Sequence, residues 1–84
     1  MSRREKLIKR LLSKPKDFTW NELTALLTLL GFDAIKTGKT GGSRRRFINS
    51  AGTVITLHKP HPQNTLKSYQ LEQVIEILQQ EGLL

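Results

Sequence analysis

The sequence predicts an α+β fold, in which a three-stranded antiparallel sheet carries helices on one face and leaves the other open. Three observations predict it. Apolar residues at helical spacing occur near both ends of the 84-residue chain and are absent from its middle. Gly38, Gly41, Gly42 and Gly52 punctuate that middle into short extended runs. Within those runs Phe47, Ile55 and Leu57 can share one sheet face, so a single layer of helices suffices to cover them.

The first helix follows Ser2-Arg3-Arg4-Glu5, which has capping-box form, and Leu7, Ile8, Leu11 and Leu12 provide its inner face before Pro15 ends it. Its outer side is basic, and Arg3, Arg4, Lys6, Lys9 and Arg10 are placed to contact phosphates. The second helix begins at Thr19-Trp20-Asn21-Glu22, a second capping box, with Phe18 positioned to staple onto Leu23. Leu23, Leu26, Leu27 and Leu30 form its buried stripe and Gly31 its stop. Strands are expected over residues 33–37, 44–49 and 53–58. A three-residue loop, Ser50-Ala51-Gly52, sets the register of the last two. It pairs Asn49 with Thr53, Phe47 with Ile55 and Arg45 with Leu57, and on the open face Arg46 with Thr56 and Arg44 with His58. The third helix is expected to take Ser68 as N-cap and Glu72 in its first turn, to bury Leu71, Val74, Ile75 and Leu78, and to stop at Gly82. Gln70, Gln73, Gln79 and Gln80 are assigned to its polar side. The leucine stripes are core and need no partner to explain them.

Composition narrows the functional classes. With no cysteine, the chain has no disulfide framework, thiolate zinc site or thiol nucleophile, and a reducing cytoplasm is the expected compartment. Two histidines make no convincing metal site, and no metal or other cofactor is expected. The longest apolar run, residues 23–30, is interrupted by Thr24 and Thr28 and is far below the roughly 20 residues a membrane span needs; the N-terminus has no signal-peptide block. No membrane partner is therefore expected. The net charge of +7 is unevenly spread: residues 36–67 hold Lys36, Lys39, Arg44, Arg45, Arg46, Lys59 and Lys67 without one acid. Such a stretch is a candidate polyanion-binding surface, the plainer alternative being a solvated basic face.

Together, Thr40-Gly41-Gly42-Ser43-Arg44-Arg45-Arg46-Phe47, Val54-Ile55-Thr56-Leu57, His61-Pro62 and the last helix resemble the HicA toxins. The length allows one domain over residues 1–84; the resemblance covers about residues 19–84 of it, and residues 1–16 look like a basic helical extension found in part of the family. It implies a fold related to the double-stranded RNA-binding domain. It also implies a metal-independent endoribonuclease that cleaves mRNA, inhibits translation and growth, and is neutralised by a HicB-type antitoxin covering the active face. One position departs from the pattern. The family's usual Gly-Ser-His carries the catalytic histidine, whereas this chain has Gly42-Ser43-Arg44. Arginine keeps its proton at any relevant pH, so Arg44 can hold a phosphate oxygen but cannot serve as a general base.

Metal-independent RNA cleavage requires a proton acceptor for the 2′-OH, a proton donor for the leaving 5′-oxygen and positive charge at the phosphorane, and imidazole suits both proton transfers. His58 and His61 are the only histidines. His58, expected opposite Arg44, is a candidate displaced base; His61 matches a position where the family commonly has a histidine. The plainer readings are a strand-end histidine bonded to a loop carbonyl, and a surface histidine held extended between Pro60 and Pro62. The candidate catalytic residues are thus His58, Arg44 and His61. The candidate RNA-binding residues are Lys36, Lys39, Ser43, Arg45, Arg46, Lys59 and Lys67, with Arg46 better placed than Arg45, which shares the core-facing parity. The rival reading is a non-catalytic RNA-binding module of related fold. A DNA-binding domain is disfavoured, because the basic residues lie mainly on strands and loops, and Gly38-x-x-Gly41-Gly42 lacks the strand-to-helix setting of a nucleotide-binding loop.

Overall fold

The computed structural model describes residues 2–35 and 44–84, over which the chain forms α1 (Arg3–Leu12), α2 (Trp20–Leu29), β1 (Asp33–Ile35), β2 (Arg44–Ile48), β3 (Val54–His58) and α3 (Ser68–Gln80). The architecture is the expected α+β one, with an N-terminal helix preceding an α-β-β-β-α order and an antiparallel sheet ordered β1-β2-β3.

Local chemistry fixes both ends of α2. Glu22 N–H donates to Thr19 Oγ1 at 3.1 Å, and Thr19 N–H donates back to the Glu22 carboxylate at 3.1 Å, completing the capping box. At the other end Gly31 has φ +92°, which lets its N–H reach the Thr28 carbonyl and Phe32 N–H the Leu27 carbonyl, the paired bonds of a Schellman stop. The stop turns the chain directly into β1. Phe18 and Leu23, the expected staple, are both fully buried.

The β2–β3 register is the expected one, from Arg44↔His58 through Arg46↔Thr56 to Ile48↔Val54. Its cause is visible in the loop. Asn49 accepts from Gly52 N–H and donates to the Thr53 carbonyl, while its side chain accepts from Thr53 N–H at 2.8 Å. Gly52, at φ +86°, takes the left-handed position that a three-residue hairpin loop requires. Phe47, Ile55 and Leu57 consequently all face the helices and are buried. They meet Leu26 and Leu27 of α2 and Leu71, Val74 and Leu78 of α3 in one core, with the Trp20 and Phe47 rings 5.9 Å apart and tilted.

Several boundaries differ from expectation. The first strand is not among them: β1 matches the expectation over residues 33–35, and residues 36 and 37 lie outside the described residues. β2 ends at Ile48, since Asn49 is engaged in the turn. In α1 only Leu7 and Leu11 are buried; Ile8 is half-buried, and Leu12, a further 100° round the helix from Leu11, points away from the core at 47% exposure. In α3 the N-cap is Lys67 rather than Ser68. An ammonium cannot accept a hydrogen bond, so Lys67 gives the first-turn N–H groups no side-chain cap, and only the reciprocal bond of a capping box is present, Gln70 Oε1 taking the Lys67 N–H at 3.0 Å. Gln70 is therefore buried, not on the polar side, and Glu72 falls beyond the first turn, where it pairs with Lys14 at 3.5 Å.

Arg10 fastens α1 to the α2 cap. Its guanidinium contacts Glu22 at 2.6 Å and Asp17 at 3.0 Å and lies over the Phe18 ring. The Arg10 hydrogen bond is the main cause of a Glu22 carboxyl held below the usual carboxylate range, with smaller help from Thr19 and against the opposing effect of burial. A depressed pKa contributes stability that is present above the unfolded pKa and lost as pH falls through the folded one. Glu22→Gln, which preserves the capping oxygen, is accordingly expected to unfold at lower urea than wild type at pH 7. The gap should close as the pH falls below about 4. A gap that is the same at every pH would assign the effect to packing instead.

Candidate functional site

The open face of the sheet grades from apolar to basic. Because Asn49 and Thr53 form the hydrogen-bonded pair next to the loop, strict alternation makes 48/54, 46/56 and 44/58 the closer, non-hydrogen-bonded pairs. Side chains in such pairs stand near one another on the same face. Next to the loop stand Ile48 and the exposed Val54, with Asp33 of β1 beside Ile48; the middle row adds Ile35 of β1 to Arg46 and Thr56; the far row is Arg44 beside His58. Arg44, Arg46 and His58 are all exposed. Arg45, on the opposite parity, is half-buried and donates to the Arg44 carbonyl at 3.0 Å.

Beyond His58 the chain leaves the sheet and encloses a surface groove of about 520 Å³. Two anchors hold its walls. Gln70 Nε2 donates to the His58 carbonyl at 3.0 Å, tying the end of β3 to the start of α3. Farther on, Trp20 N–H donates to the Asn64 carbonyl and Leu66 N–H to the Phe18 carbonyl, so residues 64–66 form a bridge with the segment leading into α2. The buried Leu66 side chain locks this return. His58, Lys59, His61 and Lys67 line the groove from one side of the chain, and Lys16 enters from the α1–α2 connection.

The structure thus brings together much of what the sequence singles out. His58 and His61 line one groove, Lys59 and Lys67 flank them, and Arg44 stands opposite His58 on the neighbouring strand. Arg46 lies one pair farther along the same face. Lys36, Lys39 and Ser43 lie outside the described residues. Arg10, expected among the phosphate contacts of the first helix, is instead engaged by Asp17 and Glu22.

Three residues enter the site that spacing alone does not reveal. Lys16 arrives through the bridge between Thr19 and Thr65, a non-local pairing with no local sequence signal. Tyr69 lines the groove from the first turn of α3 and is 52% exposed. Gln70 holds the His58 backbone through a hydrogen bond that only the folded chain creates. The available signal was the lone tyrosine, an aromatic residue placed outside the apolar stripe of its helix.

The groove's composition is that of a candidate anion site. Its lining residues include Lys16, Lys59, Lys67, His58 and His61 and no Asp or Glu. Among the described residues no three His, Cys, Asp or Glu side chains gather where they could hold a metal ion, and no helix is long and apolar enough to cross a membrane.

The sequence model of the HicA toxins of bacterial toxin–antitoxin systems matches residues 20–83, spanning α2 through α3 and leaving α1 outside the match. Neither curated proteins nor solved structures give a match.

Proposed function

Since the chain belongs to the HicA family of toxins of bacterial toxin–antitoxin systems, we propose that it is an mRNA-cleaving, metal-independent endoribonuclease of the cytoplasm, neutralised by a HicB-type antitoxin. The observation that carries this reading is the convergence of His58 and His61 on one cationic groove, with Arg44 paired across from His58. In this reading residues 1–84 act as one unit, with α1 an added helix clamped by Arg10.

His58 accepts the proton of the 2′-OH as its oxygen attacks the adjacent phosphorus. The O2′–P bond forms and the P–O5′ bond breaks, with His61, in its protonated form, delivering a proton to the departing 5′-oxygen. The products are a 2′,3′-cyclic phosphate and a 5′-hydroxyl. Arg44 supplies a permanent charge and two parallel N–H donors to the equatorial oxygens, whose charge grows in the phosphorane. Arg46, Lys16, Lys59 and Lys67 hold flanking phosphates, as would Arg45, Lys36, Lys39 and Ser43 from the strand start and the preceding segment. The open face also suits the antitoxin, because Val54, at 45% exposure, and Ile35, at 37%, offer apolar contact beside arginines that attract an acidic surface.

Induced expression tests the proposal. Growth should arrest with fragmented mRNA, and both effects should disappear when the antitoxin is co-expressed. Tight RNA binding with intact mRNA would favour the rival reading of a non-catalytic RNA-binding module, for which the arginine at position 44 is the specific observation.

A further inference from the structure

We infer that Tyr69 is a base-stacking platform that makes the groove selective for an unpaired nucleotide, so that the substrate is single-stranded RNA rather than duplex. The inference rests on the ribonuclease reading of the same groove and adds the physical state of its substrate.

Tyr69 is the only tyrosine, and it is 52% exposed although it sits one residue from the buried Gln70. Isolated exposed aromatics are common and carry no meaning alone. This one lines the groove that contains both histidines. Its position is also fixed relative to the reacting region. Gln70 bonds the His58 carbonyl and the Lys67 N–H, each at 3.0 Å, so the first turn of α3 cannot shift without disturbing the end of β3. Adjacent helix positions diverge by 100°, and the inward Gln70 leaves Tyr69 facing outward at the groove wall.

The remaining lining supplies what a nucleotide needs besides a π-face. Lys16, Lys59 and Lys67 offer phosphate contacts without a competing acid, and about 520 Å³ is within the size range of small-ligand pockets. A base inside a duplex has both faces covered by its neighbours, and a single tyrosine in a groove can stack only on a base that has left the stack. The sugar of that base, or of its neighbour, then lies beside His58 with its 2′-OH free of helical constraint. Tyr69 is thus a specificity-determining residue.

The test uses the full chain and a short 2′-O-methylated RNA that cannot be cleaved, presented single-stranded or annealed to its complement. Binding is read by fluorescence anisotropy, and stacking by quenching of a 2-aminopurine placed along the strand. Wild type should prefer the single strand and quench the probe. Tyr69→Ala should weaken single-strand binding about tenfold and abolish quenching, whereas Tyr69→Phe should match wild type in both. In parallel, wild type is tested for cleavage of the unmodified RNA. Unchanged affinity and quenching in Tyr69→Ala, with wild type still cleaving, would overturn the role of Tyr69 and leave the ribonuclease reading intact. Wild type that neither binds nor cleaves RNA would overturn both.

Discussion

His58→Ala is expected to slow RNA cleavage by about 10²–10⁴-fold, the usual contribution of a positioned general base, and to abolish toxicity on induction. The loss should fall on kcat, with RNA affinity nearly unchanged, because Lys16, Lys59 and Lys67 remain in the groove. Folding should survive the substitution. The His58 side chain is exposed, and one bond that anchors this position, from Gln70, is to its backbone carbonyl, which alanine retains. Cleavage kinetics and urea unfolding of the same preparation separate the two effects. A His58→Ala protein as active as wild type would end the idea that the base has moved to β3 and would shift attention to His61.

Arg44→Ala is expected to lower kcat by about 10²–10³-fold, the size of effect seen when a donor to a developing oxyanion is removed. Arg44→Lys should recover only part of the loss, since an ammonium keeps the charge but not the planar two-donor fork. The geometric reason is the Arg44↔His58 pairing. A guanidinium and an imidazole from a close cross-strand pair can address the same phosphate and its neighbouring 2′-OH. Arg44 is exposed and among the described residues no buried group depends on its side chain, so thermal stability should change by less than about 0.5 kcal/mol. If Arg44→Ala raises KM while leaving kcat intact, the residue only binds RNA and takes no part in the transition state.

How far the sequence reveals such a site depends on whether the determining interactions are local. The Arg44–His58 juxtaposition was legible because strand parity and a loop with Gly52 in its left-handed position leave one register that buries Phe47, Ile55 and Leu57 together. The α2 boundaries were legible for the same reason, as Thr19, Glu22 and Gly31 act within a few residues of one another. The groove was not. It depends on the bridge between Thr19 and Thr65 and on Gln70 reaching back to His58, contacts between segments far apart in the chain that have no periodic signature. The fate of Arg10 was hidden likewise, because a basic helix face gives no sign that one of its arginines closes onto Asp17 and Glu22. The cap of α3 lies one residue before Ser68 because the bond that organises this end is Gln70, at the third helical position, accepting from the Lys67 N–H, which a search for a capping serine does not reveal.

The central claim is that this groove cleaves RNA through the 2′-OH of its own substrate. It is tested most directly with an oligoribonucleotide containing one cleavage site and a twin in which that single sugar is 2′-deoxy, each incubated with the purified protein in excess EDTA. The prediction is that the ribonucleotide is cut to a 2′,3′-cyclic phosphate and a 5′-hydroxyl while the deoxy twin stays whole. Cleavage of the deoxy twin, or an all-RNA strand that remains bound and intact, would contradict it.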